Sequence, residues 1–159
     1  MNWYCIRCVL LIAFSSLFFV SCSSYPKEFE SATTAYFSGE VEGLEGPWIG
    51  SWTSIPTGHE GPLWCLVEPV LGDDSEFRHY RFRYRAGWGW ILRGGFEHVV
   101  SVETSGVRFR FEQEMDLGKL GGVYLSKTEV VDGLWTGRHR STKGDHGEIL
   151  MKRPSERLQ

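Results

Sequence analysis

The sequence has no excess of positive charge, few prolines and no apolar run long enough to cross a bilayer. Its 17 Lys and Arg are outnumbered by 20 Asp and Glu among 159 residues, which gives a net charge of −3. Proteins that follow a phosphate backbone need uniform basicity, so we expect no nucleic-acid partner. The six prolines and an apolar content of 42% exclude a low-complexity or disordered polymer. One modest globular domain is expected.

The longest apolar run lies near the N-terminus, over residues 8–20. Its 13 residues fall short of the roughly 20 that span a hydrocarbon core, but they suit the h-region of a secretory signal. The run ends in Phe19-Val20-Ser21-Cys22, which resembles the lipobox of bacterial lipoproteins. An ordinary cleaved signal and an uncleaved anchor are the alternatives.

The lipobox resemblance implies a lipid anchor and a location. Residues 1–21 would be a signal peptide that is removed, and Cys22 would carry diacylglycerol as the first mature residue. Several acyl chains on one residue give stable membrane attachment. The resemblance therefore implies a membrane-anchored protein of the bacterial cell envelope. Ser23, where an Asp would mark the inner membrane, implies the outer membrane facing the periplasm.

Cysteine is scarce once this leader is set aside. Cys5 and Cys8 would leave with the signal and Cys22 would be acylated, so Cys65 alone keeps a thiol. No intramolecular disulfide is then expected. Cys65 lies in the apolar run 63–67, where a thiol usually packs as a small hydrophobic side chain, and we expect no catalytic role for it.

Two compositional regions follow the leader. Residues 22–45 are rich in Ser, Thr, Glu, Lys and Gly, which predicts a flexible tether with room for a short helix around 28–35. Residues 46–154 carry short aromatic and β-branched runs separated by glycines, which predicts strands joined by turns. Residues 155–159 are expected to be a disordered tail.

Strict alternation of apolar and charged residues gives the clearest strand signal. Over residues 80–86 the even positions are apolar and the odd positions are Arg, and residues 107–112 alternate in the same way. The turn Ser105-Gly106 before the second run predicts a hairpin in which Thr104 pairs with Val107 and Val102 with Phe109. The other strands are predicted over 47–54, 62–70, 122–129, 133–141 and 147–153, with an uncertain segment near 88–93. Turns between strands are predicted at 56–58, 72–74, 94–95, 121–122, 132–133 and 143–145.

About eight consecutive antiparallel strands must either divide into a sandwich or close on themselves. Closure removes the exposed edges, so we predict an all-β fold, a small antiparallel up-and-down β-barrel of about eight strands, with a β-sandwich as the alternative. A weak internal repeat supports closure. Residues 46–54 align with 133–141 at an offset of 87, and 58–61 align with 144–147 after one deletion.

The sequence Gly46-Pro47-Trp48 at the first strand resembles the calycin superfamily of lipocalin-like and avidin-like barrels, whose first strand often carries Gly-x-Trp. Gly50-Ser51-Trp52 is a second match. The resemblance implies a tryptophan packed at the closed end of the barrel beside a basic residue late in the chain, which would be Lys152 or Arg153. The chain departs from lipocalins in its short strands and in lacking their C-terminal helix and disulfide. The resemblance implies an architecture and no ligand, because a fold does not determine a function.

The interior of an eight-stranded barrel is either just filled or just able to hold one small ligand. The abundance of aromatic residues favours a packed core, with a shallow site at one mouth as the alternative. The candidate ligand-binding residues are Trp48, Trp52, Tyr124, Trp135 and His139.

The sequence predicts no metal, no cofactor and no enzymatic activity. His139, His146 and Asp145 could cluster across one turn, but no zinc spacing occurs and a glycine-bounded hairpin loop explains residues 144–147 better. Neither a Gly-x-Ser-x-Gly elbow nor a phosphate-cradling loop is present. The carboxylates that could act as acids or bases are dispersed along the predicted strands and turns: Glu60, Glu68, Glu97 and Glu112.

The remaining hypothesis is a non-catalytic binding or scaffolding module whose partner is a hydrophobic small molecule, a glycan, a lipid or an envelope protein. An alternative is an inhibitor of a periplasmic hydrolase that acts through loops 55–61 or 142–147. A basic stripe could face anionic lipid or an acidic partner, but a solvated surface balanced by Glu103, Glu112 and Glu114 is favoured. The stripe consists of Arg78, Arg81, Arg83, Arg85, Arg108 and Arg110.

Overall fold

The computed structural model describes residues 24–70, 78–88, 92–118 and 122–155. The predicted signal peptide, Cys22, the predicted turn at 72–74 and residues 156–159 of the predicted tail lie outside these ranges. Within these ranges one helix precedes eight strands: α1 Tyr25–Phe37, β1 Gly46–Thr53, β2 Glu60–Pro69, β3 Arg78–Trp88, β4 Leu92–Ser105, β5 Arg108–Asp116, β6 Val123–Val131, β7 Leu134–Ser141 and β8 His146–Lys152.

The eight strands form a closed antiparallel barrel. Each strand pairs with its neighbours in the chain, and β8 returns to pair with β1 from Ile49↔Lys152 to Trp52↔Ile149. The predicted small up-and-down β-barrel is therefore confirmed, and the sandwich alternative is wrong. The two hairpins related by the sequence repeat, β1–β2 and β7–β8, lie side by side because β8 and β1 are neighbours.

The alternation of inward and outward side chains along each strand determines which of them fill the barrel. Tyr80, Phe82 and Tyr84 of β3 point inward and are at most 3% exposed. The arginines between them point outward, as the pattern predicts. The same parity in the other strands produces one continuous core, which includes Leu63, Cys65, Val67, Val100, Val102, Phe109, Phe111, Val130, Ile149 and Met151.

One end of the barrel is closed by a stack of an arginine on a tryptophan. Trp48 is fully buried and its Nε1 donates to the carbonyl of Leu44 at 2.9 Å. The guanidinium of Arg153 lies 3.9 Å from the Trp48 ring centroid and donates to the carbonyls of Pro47 and Gly43. Burial lowers the pKa of Arg153 to about 10. Arg153, and not Lys152, is thus the basic residue beside this tryptophan.

The expected flexible tether is wrong for most of residues 24–45. The helix α1 begins at Tyr25 and packs on the outer wall of β1 and β2, against Leu66. Its buried residues Tyr25, Phe29 and Thr33 recur every four positions, which places them on one helix face. The polar composition of the remaining positions concealed this short stripe.

The predicted register of the β4–β5 hairpin is wrong by two residues. Ser105 pairs with Arg108 and Glu103 with Arg110, so the loop is Gly106-Val107. Gly106 has φ +61°, and a two-residue type II′ loop needs a positive φ at its first position. Gly106 is therefore the first residue of the loop and not its second.

The turn predicted at Gly94-Gly95 is also wrong, because both residues lie inside β4. They pair with Ala86 and Arg85 of β3. A Cβ at Gly94 would lie 2.8 Å from the Trp88 ring, and one at Gly95 would lie 2.7 Å from Nη1 of Arg85. These glycines make room for two long side chains of the neighbouring strand.

We expect Phe29→Ala to lower the free energy of unfolding by about 3 kcal/mol, because it removes a buried ring between the helix and the barrel. Phe37→Ala is the matched control, since Phe37 is on the same helix and 36% exposed. Denaturant unfolding of the purified protein followed by circular dichroism measures both. Equal, small effects would show that α1 does not stabilise the barrel.

Candidate functional site

The end of the barrel opposite Trp48 contains a cavity of about 260 Å³. Its walls are mainly apolar, with Leu63, Ala86 and Ile149 on one part of the circumference. Five aromatic residues face the same space: Trp52, Tyr84, Trp88, Phe96 and Tyr124. Trp52 and Trp88 lie 5.7 Å apart by ring centroids, and Tyr84 stacks on Phe96 at 4.7 Å. Apolar walls with a few polar groups are typical of a small-molecule site.

Three of the five predicted ligand-binding residues line this cavity, namely Trp52, Tyr124 and His139. The other two, Trp48 and Trp135, are fully buried in the opposite half of the barrel and meet edge to face at 5.3 Å. Phe82 and Phe111 pack against Trp135 at 5.7 and 5.2 Å. The lumen is thus filled by aromatic rings in one half and hollow in the other.

A carboxylate organises the rim of the cavity. Asp145 accepts hydrogen bonds from Ser54 Oγ at 2.5 Å and from the Tyr124 hydroxyl at 2.7 Å. Burial alone would raise the pKa of Asp145, but these hydrogen bonds outweigh it and lower the pKa. Burial and the neighbouring carboxylate raise the pKa of Tyr124 to about 12, so the phenol keeps its proton and donates. The rim joins the β1–β2 loop to the β7–β8 loop.

The floor of the cavity is closed by a hydrogen-bonded group. Gln113 Nε2 donates to the Tyr84 hydroxyl at 2.8 Å, and Gln113 Oε1 contacts His98 Nε2. Burial lowers the pKa of His98, which favours the neutral ring. These polar groups satisfy one another beneath the apolar walls.

The two inward residues Trp52 and His139 occupy equivalent positions of the sequence repeat and make equivalent contacts. Trp52 pairs with Gly61 across β1–β2, and its Nε1 passes over that glycine to donate to the carbonyl of Gly87 at 3.0 Å. A Cβ at Gly61 would lie 2.7 Å from this Nε1. In both hairpins, a side chain crosses a glycine of the next strand and bonds to the strand beyond.

His139 repeats this arrangement on the other hairpin. It pairs with Gly147 across β7–β8, and its Nε2 lies 2.8 Å from the carbonyl of Thr53 on β1. A Cβ at Gly147 would lie 1.8 Å from that carbonyl oxygen, so only glycine fits. His139 is only 7% exposed, and its Nδ1 is buried without a hydrogen-bond partner among the described residues.

The outer face carries paired charges. Arg83 forms ion pairs with Glu28 of α1 and Glu68 of β2, and Arg81 pairs with Glu97 at 3.3 Å. Arg108 and Arg110 both contact Glu129. The acidic residues that balance the stripe therefore differ from the three expected, although the mixed-charge character is as expected.

Within the described ranges, no group of three His, Cys, Asp or Glu residues is placed to hold a metal ion. His146 is exposed, and its Nδ1 lies 3.3 Å from the carbonyl of Gly144. Cys65 is fully buried in the core, and burial raises the pKa of its thiol well above the ordinary value. In the part of the chain described, no helix combines the length and apolar character needed to cross a bilayer.

Several cavity residues were not among the predicted ligand-binding residues, notably Ser54, Trp88, Phe96 and Asp145, although Asp145 was considered as part of a metal cluster. Trp88 and Phe96 could have been found from strand parity, since each keeps the even numbering of the inward residues in β3 and β4. The role of Ser54 and Asp145 depends on two loops 91 positions apart in sequence, which no local pattern brings together.

In comparisons with known proteins, no protein-family model, curated sequence or solved structure matches this chain.

We expect Asp145→Asn to destabilise the protein by about 1 kcal/mol at neutral pH, because the charged acceptor for Ser54 and Tyr124 is lost. The folded pKa of Asp145 is depressed, so its contribution is present above the unfolded pKa and is lost as the pH falls through the folded value. The stability difference between wild type and variant should therefore shrink below about pH 4.

The control is Asp116→Asn, because asparagine keeps the single acceptor that the Gly118 amide uses. Denaturant unfolding at several pH values gives the free energy of unfolding of wild type and of each variant as a function of pH. A difference between wild type and Asp145→Asn that does not change with pH would contradict the assigned role.

Proposed function

We propose that this protein is a membrane-anchored lipoprotein of the bacterial envelope that acts as a non-catalytic binding module for a hydrophobic small molecule. The observation that carries the binding proposal is the cavity of about 260 Å³ with aromatic and aliphatic walls. Its polar groups are mostly engaged with one another, which suits ligand positioning better than acid–base chemistry. The Arg153–Trp48 stack at the closed end supports a calycin-like architecture.

The anchor proposal depends on the leader alone. A 13-residue apolar run that ends in Ser21-Cys22 favours acylation of Cys22. Stable attachment to the outer membrane would follow from the acyl chains, since each buried methylene contributes about 0.8 kcal/mol.

We expect Cys22→Ala to abolish lipid attachment in a bacterial host. Metabolic labelling with a radioactive fatty acid and fractionation of the envelope measure the loss of label and of processed protein in the membrane. Cys65→Ala is the matched control, because it removes the buried core thiol and leaves the leader unchanged. Equal labelling of wild type and Cys22→Ala would refute the lipoprotein assignment.

A second candidate is an inhibitor of a periplasmic hydrolase. The loops at the mouth are fastened together, since Ser54 bonds to Asp145 and the Ile55 amide donates to the carbonyl of His146 at 2.9 Å. Ile55 projects from this paired loop and is 64% exposed. A rigid loop with an exposed aliphatic tip favours insertion into the cleft of a partner protein.

We expect Ala86→Phe to remove a co-purifying small molecule, because the added ring enters the cavity. Native mass spectrometry of protein isolated from envelopes measures occupancy. Val99→Phe is the control, since Val99 is on the exterior and 54% exposed. A bound molecule that Ala86→Phe retains would contradict a cavity ligand. If the protein forms a complex with a hydrolase that Ile55→Asp abolishes and Ala86→Phe leaves intact, the inhibitor function would be favoured instead.

A further inference from the structure

We propose that the edge of β4 that faces β5 binds an extended segment of a partner protein, which adds a strand to the barrel wall and directs basic side chains outward. This interaction depends neither on a ligand in the cavity nor on the lipid anchor. It follows from the point at which β4 and β5 stop pairing and from the charges on both sides of that point.

The pairing between β4 and β5 is short. Residues 103–105 pair with residues 108–110, and no pair follows between residues 94–102 of β4 and residues 111–116 of β5, all of which are described. Over these same stretches β4 is paired with β3, and β5 with β6. Each of the two strands therefore presents one edge without a partner strand, and we call the space between these edges the β4–β5 gap.

The edges of the β4–β5 gap have the properties of a site for strand addition. Along a strand edge, alternate residues direct their N–H and C=O groups outward, where they can pair with another chain. The neighbouring strands β3 and β6 already hold both edges extended, so binding costs little ordering of the barrel. In this mode of recognition the main-chain hydrogen bonds supply affinity and the side chains supply specificity.

The inward side chains along the gap restrict the inward side chains of the partner. Phe96 and His98 of β4 are half-buried, whereas Phe82 beside them on β3 is fully buried. Nε2 of His98 contacts Oε1 of Gln113 on β5, so the interior is bridged beneath the gap. A partner residue that points inward above this bridge is therefore expected to be short and apolar.

The outward side chains beside the gap are acidic. Four exposed carboxylates flank it: Glu97, Glu103, Glu112 and Glu114. Glu103 and Glu114 form no ion pair with any described residue, and the other two are paired with cations of the neighbouring strands. Opposite charges on adjacent strands stabilise their pairing and like charges destabilise it. A strand with outward Lys or Arg is therefore favoured over a second copy of this chain, which would bring the same carboxylates.

Amide hydrogen exchange of the purified protein, resolved by residue with nuclear magnetic resonance, tests the gap itself. Every second amide of residues 96–102 should exchange rapidly. The amides of β6, which is paired on both edges, should exchange slowly. Slow exchange of all amides in residues 96–102 would show that the gap is closed in solution and would overturn the proposal.

The binding test uses the synthetic peptide Lys-Val-Lys-Val-Lys-Val-Lys. Fluorescence anisotropy of the labelled peptide should show saturable binding, and the rapidly exchanging amides of residues 96–102 should become protected. The same peptide with Glu in place of each Lys should bind about tenfold more weakly or less, because its carboxylates meet those beside the gap. If the lysine peptide does not bind, or protects other strands instead, the proposal is wrong.

Methylation of the peptide backbone separates strand pairing from attraction by charge alone. In a strand, residues of one parity direct their N–H groups to one edge, so one peptide is methylated at every Lys nitrogen and another at every Val nitrogen. At least one of these two should lose binding, because its pairing edge is blocked. Equal binding of both methylated peptides and the unmodified one would refute strand addition.

A charge reversal locates the peptide on the barrel. Glu114→Lys should weaken the affinity for the lysine peptide about threefold, since an opposite charge beside the gap becomes a like charge. Glu60→Lys is the matched control, because Glu60 is an exposed glutamate at the start of β2, away from the gap. Equal weakening by both variants would indicate a response to net charge and would contradict binding at β4.

Discussion

The seam between β1 and β8 is the contact on which both the fold and the cavity depend. Its backbone register spans only four residue pairs, from Ile49 to Trp52 on β1, and an unclosed seam would leave two exposed strand edges. Side chains extend the seam in both directions. At the mouth, His139 reaches across Gly147 to the carbonyl of Thr53, and at the closed end Arg153 bonds to the carbonyl of Pro47. The residue that fastens the seam at the mouth is therefore also a wall of the cavity.

Hydrogen bonds from inward side chains to distant backbone carbonyls explain why a barrel so rich in aromatic residues contains a cavity. Trp48 and Trp135 extend into the centre of the lumen and fill it. Four residues further along the same strands, Trp52 and His139 also occupy equivalent positions of the repeat. Each is bonded to a backbone carbonyl two strands away, Trp52 to Gly87 on β3 and His139 to Thr53 on β1. Rings held along the wall in this way do not fill the centre. The glycines beneath them are required because a Cβ would occupy the path of each ring.

Period-two alternation was sufficient to predict the barrel, because inward and outward positions alternate in nearly every strand. It was insufficient for the register of β4 and β5, since a shift of two residues keeps each side chain on its face. The two registers differ only in whether Gly106 is the first or the second residue of the loop, and the pairing of Ser105 with Arg108 makes it the first. The short helix expected around 28–35 lies within α1, but its packing on the barrel was missed because only three buried residues, Tyr25, Phe29 and Thr33, lie among polar ones. The rim around Asp145 depends on tertiary closure, which local patterns do not encode.

The docked helix changes what a lipid on Cys22 would do. Two residues, Ser23 and Ser24, lie between Cys22 and Tyr25, so the Cα atoms of Cys22 and Tyr25 are at most about 11 Å apart. Tyr25 is buried against the barrel, with its hydroxyl bonded to the carbonyl of Arg83. An anchor at Cys22 would therefore hold the barrel wall at β3 close to the bilayer surface. A lipid at Cys22 would restrict the orientation of the barrel more than a lipid at the end of a long flexible tether.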